Sequence, residues 1–247
     1  MVSEKTLNSL RDLLGSNNFI TSIRERRLFS QDLFYEGILP IAIISPNSIS
    51  DLEKSIKICE RENIEIFPRG GGLSYTSGYL KTKENGKSFI VFDLRKIDKI
   101  IEINEDNLTA TVEAGCTWEK LYKETKKINL RPRMFGPSTG RFSTIGGSVT
   151  NNSMFFGSAD NGTSADNILG LEVITSEGKI IKTGSGSIKN GKAFYRNNGP
   201  DITGLFLNDG GIMGIKTKIT LMLEQIPSSE KVISVSFKSS ENLINAI

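Results

Sequence analysis

The spacing of apolar residues near the start of the chain predicts a short amphipathic helix. Leu7, Leu10, Leu13 and Leu14 recur at intervals of three and four residues, which places them on one helical face. Gly15 follows directly and is typical of the residue that ends a helix.

The next hydrophobic segments predict a β-α-β unit. An apolar run at 40–44 predicts a buried strand, and the segment over 51–62 predicts a helix capped by Ser48 or Ser50. Residues 64–67 predict the following strand. Two strands joined by a helical crossover favour a parallel arrangement, so the first part of the chain is expected to form a parallel sheet.

The rest of the chain continues with short strands and few helices. A helix is predicted over 117–127, and beyond Pro227 the pattern restarts with a strand over 232–237 and a helix from Ser239 or Ser240. The other predicted strands lie at 88–94, 100–103, 109–113, 169–175, 179–183 and 212–223. This mixture predicts an α+β fold.

Composition and charge narrow the class of protein. The chain has 247 residues, of which 37% are hydrophobic and 24% charged, which excludes a disordered or collagen-like chain. The 31 basic and 28 acidic residues give a net charge of +3, so we expect no nucleic-acid partner. No segment is long and apolar enough to span a membrane, and residues 1–14 do not resemble a signal peptide. We therefore expect a cytoplasmic protein.

The chain contains no histidine, which excludes several kinds of chemistry from these residues. Histidine metal ligands, histidine general bases and the Ser-His-Asp and Cys-His nucleophile systems are all absent. The two cysteines, Cys59 and Cys116, are expected to be reduced, buried and structural. We expect no metal site, and any activity requires another base or a cofactor.

Two glycine-rich segments are candidates for binding chemistry. Residues 68–75 read Pro-Arg-Gly-Gly-Gly-Leu-Ser-Tyr after a predicted strand, and their backbone N–H groups could converge on an anion. A tight turn is an equally good explanation of this segment alone. Residues 136–153 add hydroxyls, paired glycines and two asparagines, which suit a large polar ligand or a pair of surface turns. Neither segment matches a P-loop or the dinucleotide-binding fingerprint.

The order of these motifs resembles the FAD-binding domain of the vanillyl-alcohol-oxidase type, also called the PCMH-type fold. The resemblance rests on Pro-Arg-Gly-Gly-Gly-Leu-Ser, then Thr-Ile-Gly-Gly-Ser-Val-Thr-Asn-Asn-Ser at 144–153. Three further segments fit: 161–173, Gly178 at a hairpin turn, and 209–215 before a strand. The resemblance covers roughly residues 36–225. Within this family, the chain most resembles enzymes of the D-lactate dehydrogenase and glycolate-oxidase type.

The resemblance assigns residues of the chain to a cofactor site. It implies that the loop Gly70, Gly71, Gly72, Leu73 and Ser74 binds the pyrophosphate. It places other residues along the pyrophosphate and ribityl chain: Ser138, Thr144, Gly146, Gly147 and Ser148. It places Asn152, Gly162, Thr163 and Ile168 on the flavin side and gives Ile215 a backbone contact. The remaining members of the predicted site are Pro68, Arg69, Tyr75, Pro137 and Gly214.

The resemblance also implies a domain organisation. We expect an N-terminal helical segment at 1–35, then a two-lobed FAD domain at 36–225 with lobes near 36–98 and 99–225. Residues 226–247 resemble the truncated start of a ferredoxin-like substrate domain. FAD is expected to be non-covalent, because histidyl attachment is impossible and both cysteines lie in structural positions.

The function implied by the resemblance is oxidation of a D-2-hydroxy acid, such as lactate or glycolate, by hydride transfer to flavin. The partners are then the hydroxy acid, an electron acceptor and, in one alternative, a second subunit that carries the substrate domain. Two alternatives stay open: a non-catalytic FAD-binding module and a reductase of the UDP-sugar type. The resemblance identifies no catalytic residue.

Overall fold

Two β-sheets, each packed against helices, form the framework that positions the site. The computed structural model describes residues 2–134, 136, 139–155 and 157–246. The described helices are α1 Glu4–Leu14, α2 Ile23–Phe29, α3 Ile49–Arg61, α4 Trp118–Lys126, α5 Ile145–Asn151, α6 Ser158–Asn161, α7 Ile202–Leu205 and α8 Ser240–Ile244. The described strands are β1 Phe19–Ile20, β2 Ala42–Ile44, β3 Glu65–Arg69, β4 Phe89–Asp93, β5 Ile100–Asn104, β6 Thr109–Glu113, β7 Leu130–Pro132, β8 Ile168–Ile174, β9 Ile180–Lys182 and β10 Ile215–Gln225.

The first sheet has the strand order β1-β2-β4-β3. Both β2 and β3 run parallel to β4, while β1 is antiparallel to β2. The predicted β-α-β unit is therefore parallel, but β4 lies between its two strands. Its core contains Leu10 of α1 together with Leu52 and Ile56 of α3, all of which are at most 1% exposed.

Side-chain caps explain where the helices of this first lobe begin. The Ser3 hydroxyl accepts a hydrogen bond from the Thr6 N–H at the start of α1, and Gly15 ends that helix as predicted. The Ser48 hydroxyl accepts from the Asp51 N–H at the start of α3, so Ser48 rather than Ser50 is the cap. These bonds satisfy donors that the first turn of a helix leaves unpaired.

The second sheet is antiparallel, with the order β5-β6-β10-β8-β9 and with β7 on the end of β10. Strand β10 lies at its centre, and its alternating residues Ile219, Leu221 and Leu223 point into the core as predicted. Helix α4 packs Trp118 and Leu121 against this sheet. The Trp118 Nε1 donates to the Ser148 hydroxyl at 2.8 Å, which ties α4 to α5.

The two lobes meet through shared core residues. Ile174 at the end of β8 and Ile215 at the start of β10 pack into the core of the first lobe. This contact brings the end of β3, the start of β10 and helix α5 to one edge of the lobe junction.

Two sequence-based expectations differ from the structure. The strand predicted over 232–237 is wrong: the segment pairs with no described strand, and Val232 and Ile233 are 98% and 81% exposed. The glycine-rich segment 136–153, interpreted as a loop, contains helix α5. Among the described residues, no helix combines the length and apolar character needed to cross a lipid bilayer.

Candidate functional site

A cleft of about 310 Å³ lies between the lobes. This volume falls within the range of about 300–1,000 Å³ that is typical of small-molecule sites. Three segments supply most of its wall: the glycine loop after β3, helix α5 with the residues around it, and the segment that leads into β10. The residues at the cleft are Pro68, Arg69, Gly70, Gly71, Gly72, Leu73, Ser74, Tyr75, Thr76, Gly78, Tyr79, Leu94, Ala114, Ser143, Thr144, Gly146, Gly147, Ser148, Thr150, Asn151, Asn152, Ser153, Met154, Gly210, Gly211, Gly214, Ile215 and Lys216.

The backbone of the glycine loop offers unpaired donors to this cleft. The N–H groups from Gly70 to Tyr75 donate to no other described residue, although Gly70 to Ser74 are only partly exposed. The loop is instead held through its carbonyls, since the Tyr79 hydroxyl donates to the Gly72 oxygen and the Leu33 N–H to the Ser74 oxygen. A row of converging backbone N–H groups is a recurrent anion-binding arrangement.

The loop has glycines because its backbone packs directly against the segment that precedes α5. A Cβ on Gly70 would collide with the Thr144 hydroxyl, and one on Gly71 would collide with the Phe142 carbonyl oxygen. The absence of side chains therefore lets the two backbone segments approach closely at the edge of the cleft.

Arg69 places a positive charge beside the same loop. Its guanidinium lies over the rings of Phe29 and Tyr79, at 4.4 and 5.2 Å from their centroids. It forms no salt bridge within the described part of the chain, and its Nε is buried without a hydrogen-bond acceptor. Burial lowers the pKa of Arg69 below its ordinary value, although a guanidinium stays charged at neutral pH. The arrangement leaves a partly buried cation that has no salt-bridge partner among the described residues.

Helix α5 forms the opposite wall, and its own first-turn donors are already used. The Thr144 hydroxyl caps the helix by accepting from the Gly147 N–H at 3.2 Å. The Ile145 and Gly146 N–H groups donate to carbonyls of the second lobe. A Cβ on Gly146 would lie 2.7 Å from the Ala114 Cβ, so glycine lets the helix pack closely. Anion donors in this cleft are therefore expected from the glycine loop rather than from α5.

A buried ion pair lies in the third wall. Lys216 of β10 pairs with Asp209, and both side chains are at most 4% exposed. The Asp209 carboxylate also accepts from the Gly211 and Met213 N–H groups, at 3.0 and 3.1 Å. Sequence reasoning missed Lys216 because it lies between the alternating apolar positions of β10. The available signal was the oppositely charged Asp209 seven residues earlier.

Most of the sequence-predicted site residues come together at this cleft. The exceptions among the described residues, which do not line the cleft, are Gly162, Thr163 and Ile168. Ile168 is a core residue at the start of β8, and Thr163 donates twice to Asp166. The predicted site residues Pro137 and Ser138 lie outside the described residues.

The arginines near the second glycine-rich segment are used elsewhere. Arg131 forms ion pairs with Glu224 and Glu230, and Arg133 donates to the Met222 sulfur. Arg141 lies over the exposed Phe142 ring. None of the three arginines lines the cleft.

With this geometry established, comparison with known proteins identifies the family. Residues 40–184 match the model of a family described as an FAD binding domain, which is more than half of the chain. The chain therefore belongs to this family of FAD-binding domains.

Similar curated proteins include a glycolate oxidase subunit and a D-lactate dehydrogenase. Glycolate oxidase subunit GlcD of Bacillus subtilis is 30% identical over 243 residues, which cover 97% of this chain and 49% of that protein. A mitochondrial D-lactate dehydrogenase [cytochrome] of Saccharomyces cerevisiae is 29% identical over 80% of this chain and 32% of that protein. The chain thus spans half or less of the length of these relatives.

Solved structures confirm the fold. An alkyldihydroxyacetonephosphate synthase superposes with a TM-score of 0.77 at 18% identity, over 92% of this chain and 41% of that structure. A p-cresol methylhydroxylase also has a TM-score of 0.77, at 22% identity and with coverage of 92% and 45%. The predicted α+β, PCMH-type architecture is confirmed by these neighbours.

The residues of the cleft fit the cofactor that the family binds. FAD contains a diphosphate, and the cleft offers unpaired backbone donors, the Arg69 cation and the orphaned buried hydroxyl of Ser143. Charge-assisted bonds from N–H groups and guanidinium to phosphate oxygens are strong interactions of the kind this cleft can make.

The two cysteines provide a prediction about their reactivity. Burial raises the pKa of Cys59 and of Cys116 to about 12. Only about one thiol in ten thousand is then ionised at pH 8, and the thiolate is the reactive form. We expect neither thiol to react with a disulfide reagent in the folded chain at pH 8, whereas both should react in urea. Rapid labelling of the folded chain would contradict the assigned burial.

Proposed function

We propose that this chain binds FAD non-covalently in the cleft and forms the FAD-binding part of an oxidoreductase for a D-2-hydroxy acid such as lactate or glycolate. The observation that carries the proposal is the row of N–H groups from Gly70 to Tyr75, which have no acceptor among the described residues, beside the Arg69 guanidinium, which has no salt-bridge partner among them. The names of the similar proteins, a glycolate oxidase subunit and a D-lactate dehydrogenase, support the substrate class.

The chain's own residues bind and orient the cofactor. The glycine loop and Arg69 hold the diphosphate, while the close packing of Gly146 on Ala114 fixes the wall that faces it. Asn152 braces this wall, because its side-chain oxygen accepts from the Ala165 N–H. When bound, FAD supplies the redox chemistry and takes up the two electrons that the oxidised carbon loses.

Oxidation of a hydroxy acid also requires a proton acceptor for the hydroxyl group. The ionisable side chains among the described cleft residues are those of Arg69, Tyr75, Tyr79 and Lys216, with no carboxylate among them. Arg69 stays protonated, and Lys216 is paired with Asp209. The Tyr79 hydroxyl donates its proton to the Gln31 and Gly72 carbonyls, and a tyrosine phenol in general keeps its proton near neutral pH and is a poor acceptor. We therefore assign the proton acceptor to a segment beyond the described residues, in a further domain or in a second subunit. This assignment agrees with the greater length of the relatives.

Non-covalent attachment is supported by the positions of the nucleophiles. The chain has no histidine, and neither Cys59 nor Cys116 lines the cleft. We expect FAD to leave the protein completely when the chain is denatured.

The experiment is anaerobic reduction of the FAD-loaded chain, followed through the visible flavin absorbance. The proposal predicts a yellow protein that D-lactate and glycolate do not bleach on its own and that one of them bleaches, while L-lactate does not, once the partner domain or subunit is supplied. Bleaching of the 247-residue chain alone by either acid would overturn the assignment of the proton acceptor to a segment outside it. Bleaching by NADPH alone would replace the hydroxy acid proposal with a reductase.

Several expectations remain predictions. These are the domain boundaries at 35, 98 and 225, the cytoplasmic location, the electron acceptor and the second subunit. The partial coverage of the relatives is the observation that favours a partner domain or subunit.

A further inference from the structure

The segment between Asp209 and Lys216 forms a cleft wall around a buried negative charge. Gly210, Gly211 and Gly214 line the cleft, and the Asp209 carboxylate holds the segment by accepting from the Gly211 and Met213 N–H groups. A carboxylate at this place opposes the binding of any anionic ligand.

Lys216 is positioned to cancel that charge. The Lys216 ammonium contacts the Asp209 carboxylate, and Lys216 also lines the cleft. Only 3% of the lysine side chain and 4% of the aspartate side chain are exposed, so solvent screens neither charge effectively. Burial lowers the pKa of Lys216, and the hydrogen bond to Asp209 acts in the opposite direction. Among the described residues, the ammonium has one other acceptor, the Gly214 carbonyl oxygen. That bond is long, at 3.4 Å.

We propose that Lys216 is a positioning residue for the cofactor, because it neutralises the Asp209 carboxylate and so allows the diphosphate of FAD to enter a cleft that would otherwise repel it. This inference rests on the proposed FAD binding and adds a residue to it. Asp209 then has a double role, since it fixes the wall and also creates the charge that Lys216 must cancel.

The proposal predicts that removing the second charge reverses the effect of removing the first. Lys216→Met leaves the Asp209 carboxylate unpaired in the cleft wall, so FAD affinity should fall by at least about tenfold. The double variant Lys216→Met/Asp209→Asn carries neither charge, so its FAD affinity should recover from that fall. An asparagine can replace only one of the two carboxylate oxygens that accept from the loop, so a pair that only stabilised the fold would make the double variant bind more weakly than Lys216→Met.

A matched control exists on the same strand. Lys218 pairs with the buried Glu172 at 3.1 Å but does not line the cleft. Lys218→Met should bind FAD as the wild-type chain does, even where it lowers the midpoint of urea unfolding.

The experiment is fluorescence titration of each 247-residue variant with FAD at low and high salt, with circular dichroism to establish that it is folded. The expected result is weaker binding by Lys216→Met at low salt and recovered binding by the double variant. Wild-type affinity in Lys216→Met, or a loss in the double variant at least as large as in Lys216→Met, would overturn the proposal, while FAD binding by the wild-type chain leaves the proposed function standing. If Lys216→Met does not fold, loss of FAD binding by a folded double variant overturns it. Failure of the wild-type chain to bind FAD would instead contradict the proposed function itself.

Discussion

Replacing Gly71 with alanine is expected to weaken FAD binding by at least about 100-fold, or about 2.7 kcal/mol. The added Cβ would overlap the Phe142 carbonyl oxygen, which is backbone and cannot rotate away. The loop must then move and carry its row of N–H groups out of register with the diphosphate. Over-packing of this kind also costs about 1–3 kcal/mol of folding stability. Fluorescence titration with FAD and urea unfolding measure the two effects separately.

Gly86→Ala is the control for this substitution. Gly86 has a φ of +74°, and a Cβ there would meet no heavy atom within 4 Å. Alanine therefore carries about 1–2 kcal/mol of left-handed backbone strain but no collision. This variant should lose stability and retain FAD binding. Wild-type affinity in Gly71→Ala would mean that the glycine loop does not contact the cofactor.

Replacing Arg69 with methionine is expected to lower FAD affinity by about 10- to 100-fold, because a charged hydrogen bond is worth roughly 1.5–3 kcal/mol. Stability of the ligand-free chain should change little, since the substitution removes a partly buried cation without a salt-bridge partner among the described residues but also its contacts with the Phe29 and Tyr79 rings. The remaining affinity should depend less on salt than that of the wild-type chain. Titration at two ionic strengths and urea unfolding provide the measurement.

Arg95 is the matched control for Arg69. It lies over the same Phe29 ring, at 5.6 Å, but it pairs with the buried Asp93 at 2.7 Å and does not line the cleft. Arg95→Met should therefore show the reverse pattern, with FAD affinity retained and stability lowered by about 1–3 kcal/mol. Half of the Arg95 side chain is exposed, so solvent screening places the loss of folding stability toward the lower end of this range. Equal losses of affinity in the two variants would contradict the role of Arg69.

Local patterns predicted the elements that depend on local physics. Helices α1, α3 and α4 follow from apolar spacing and from caps such as Ser48 and Thr117. The hairpin at Gly178 likewise follows from a turn residue between two apolar runs. The glycine loop was predicted because three adjacent glycines free the backbone to adopt unusual conformations, so that its N–H groups could converge on an anion.

Features that depend on distant partners were missed. Helix α5 contains two glycines, threonine and asparagine, which have low helix propensity, so its stability comes from the Thr144 cap and from packing on the second lobe. The strand predicted over 232–237 has the right alternation but finds no partner among the described residues. The insertion of β4 between β2 and β3 is also a long-range choice that periodicity does not encode.

The cleft was anticipated in part for the same reason. Its glycine and hydroxyl residues form recognisable motifs, whereas Lys216 and Tyr79 acquire their roles only through tertiary contacts. Lys216 forms a buried ion pair with Asp209. The Tyr79 hydroxyl donates to the Gly72 carbonyl and so fixes the glycine loop. The predicted site contained Tyr75, which belongs to the glycine-rich motif, but no motif pointed to Tyr79.

The central claim is that the chain binds FAD through its diphosphate at the glycine loop. Competition binding tests this claim most directly, with FAD bound to the 247-residue chain and displaced by either ADP or riboflavin. ADP carries the diphosphate and should displace FAD, while riboflavin lacks it and should compete at least about 100-fold less effectively. Failure of the chain to bind FAD, or displacement by riboflavin as effective as that by ADP, would contradict the account.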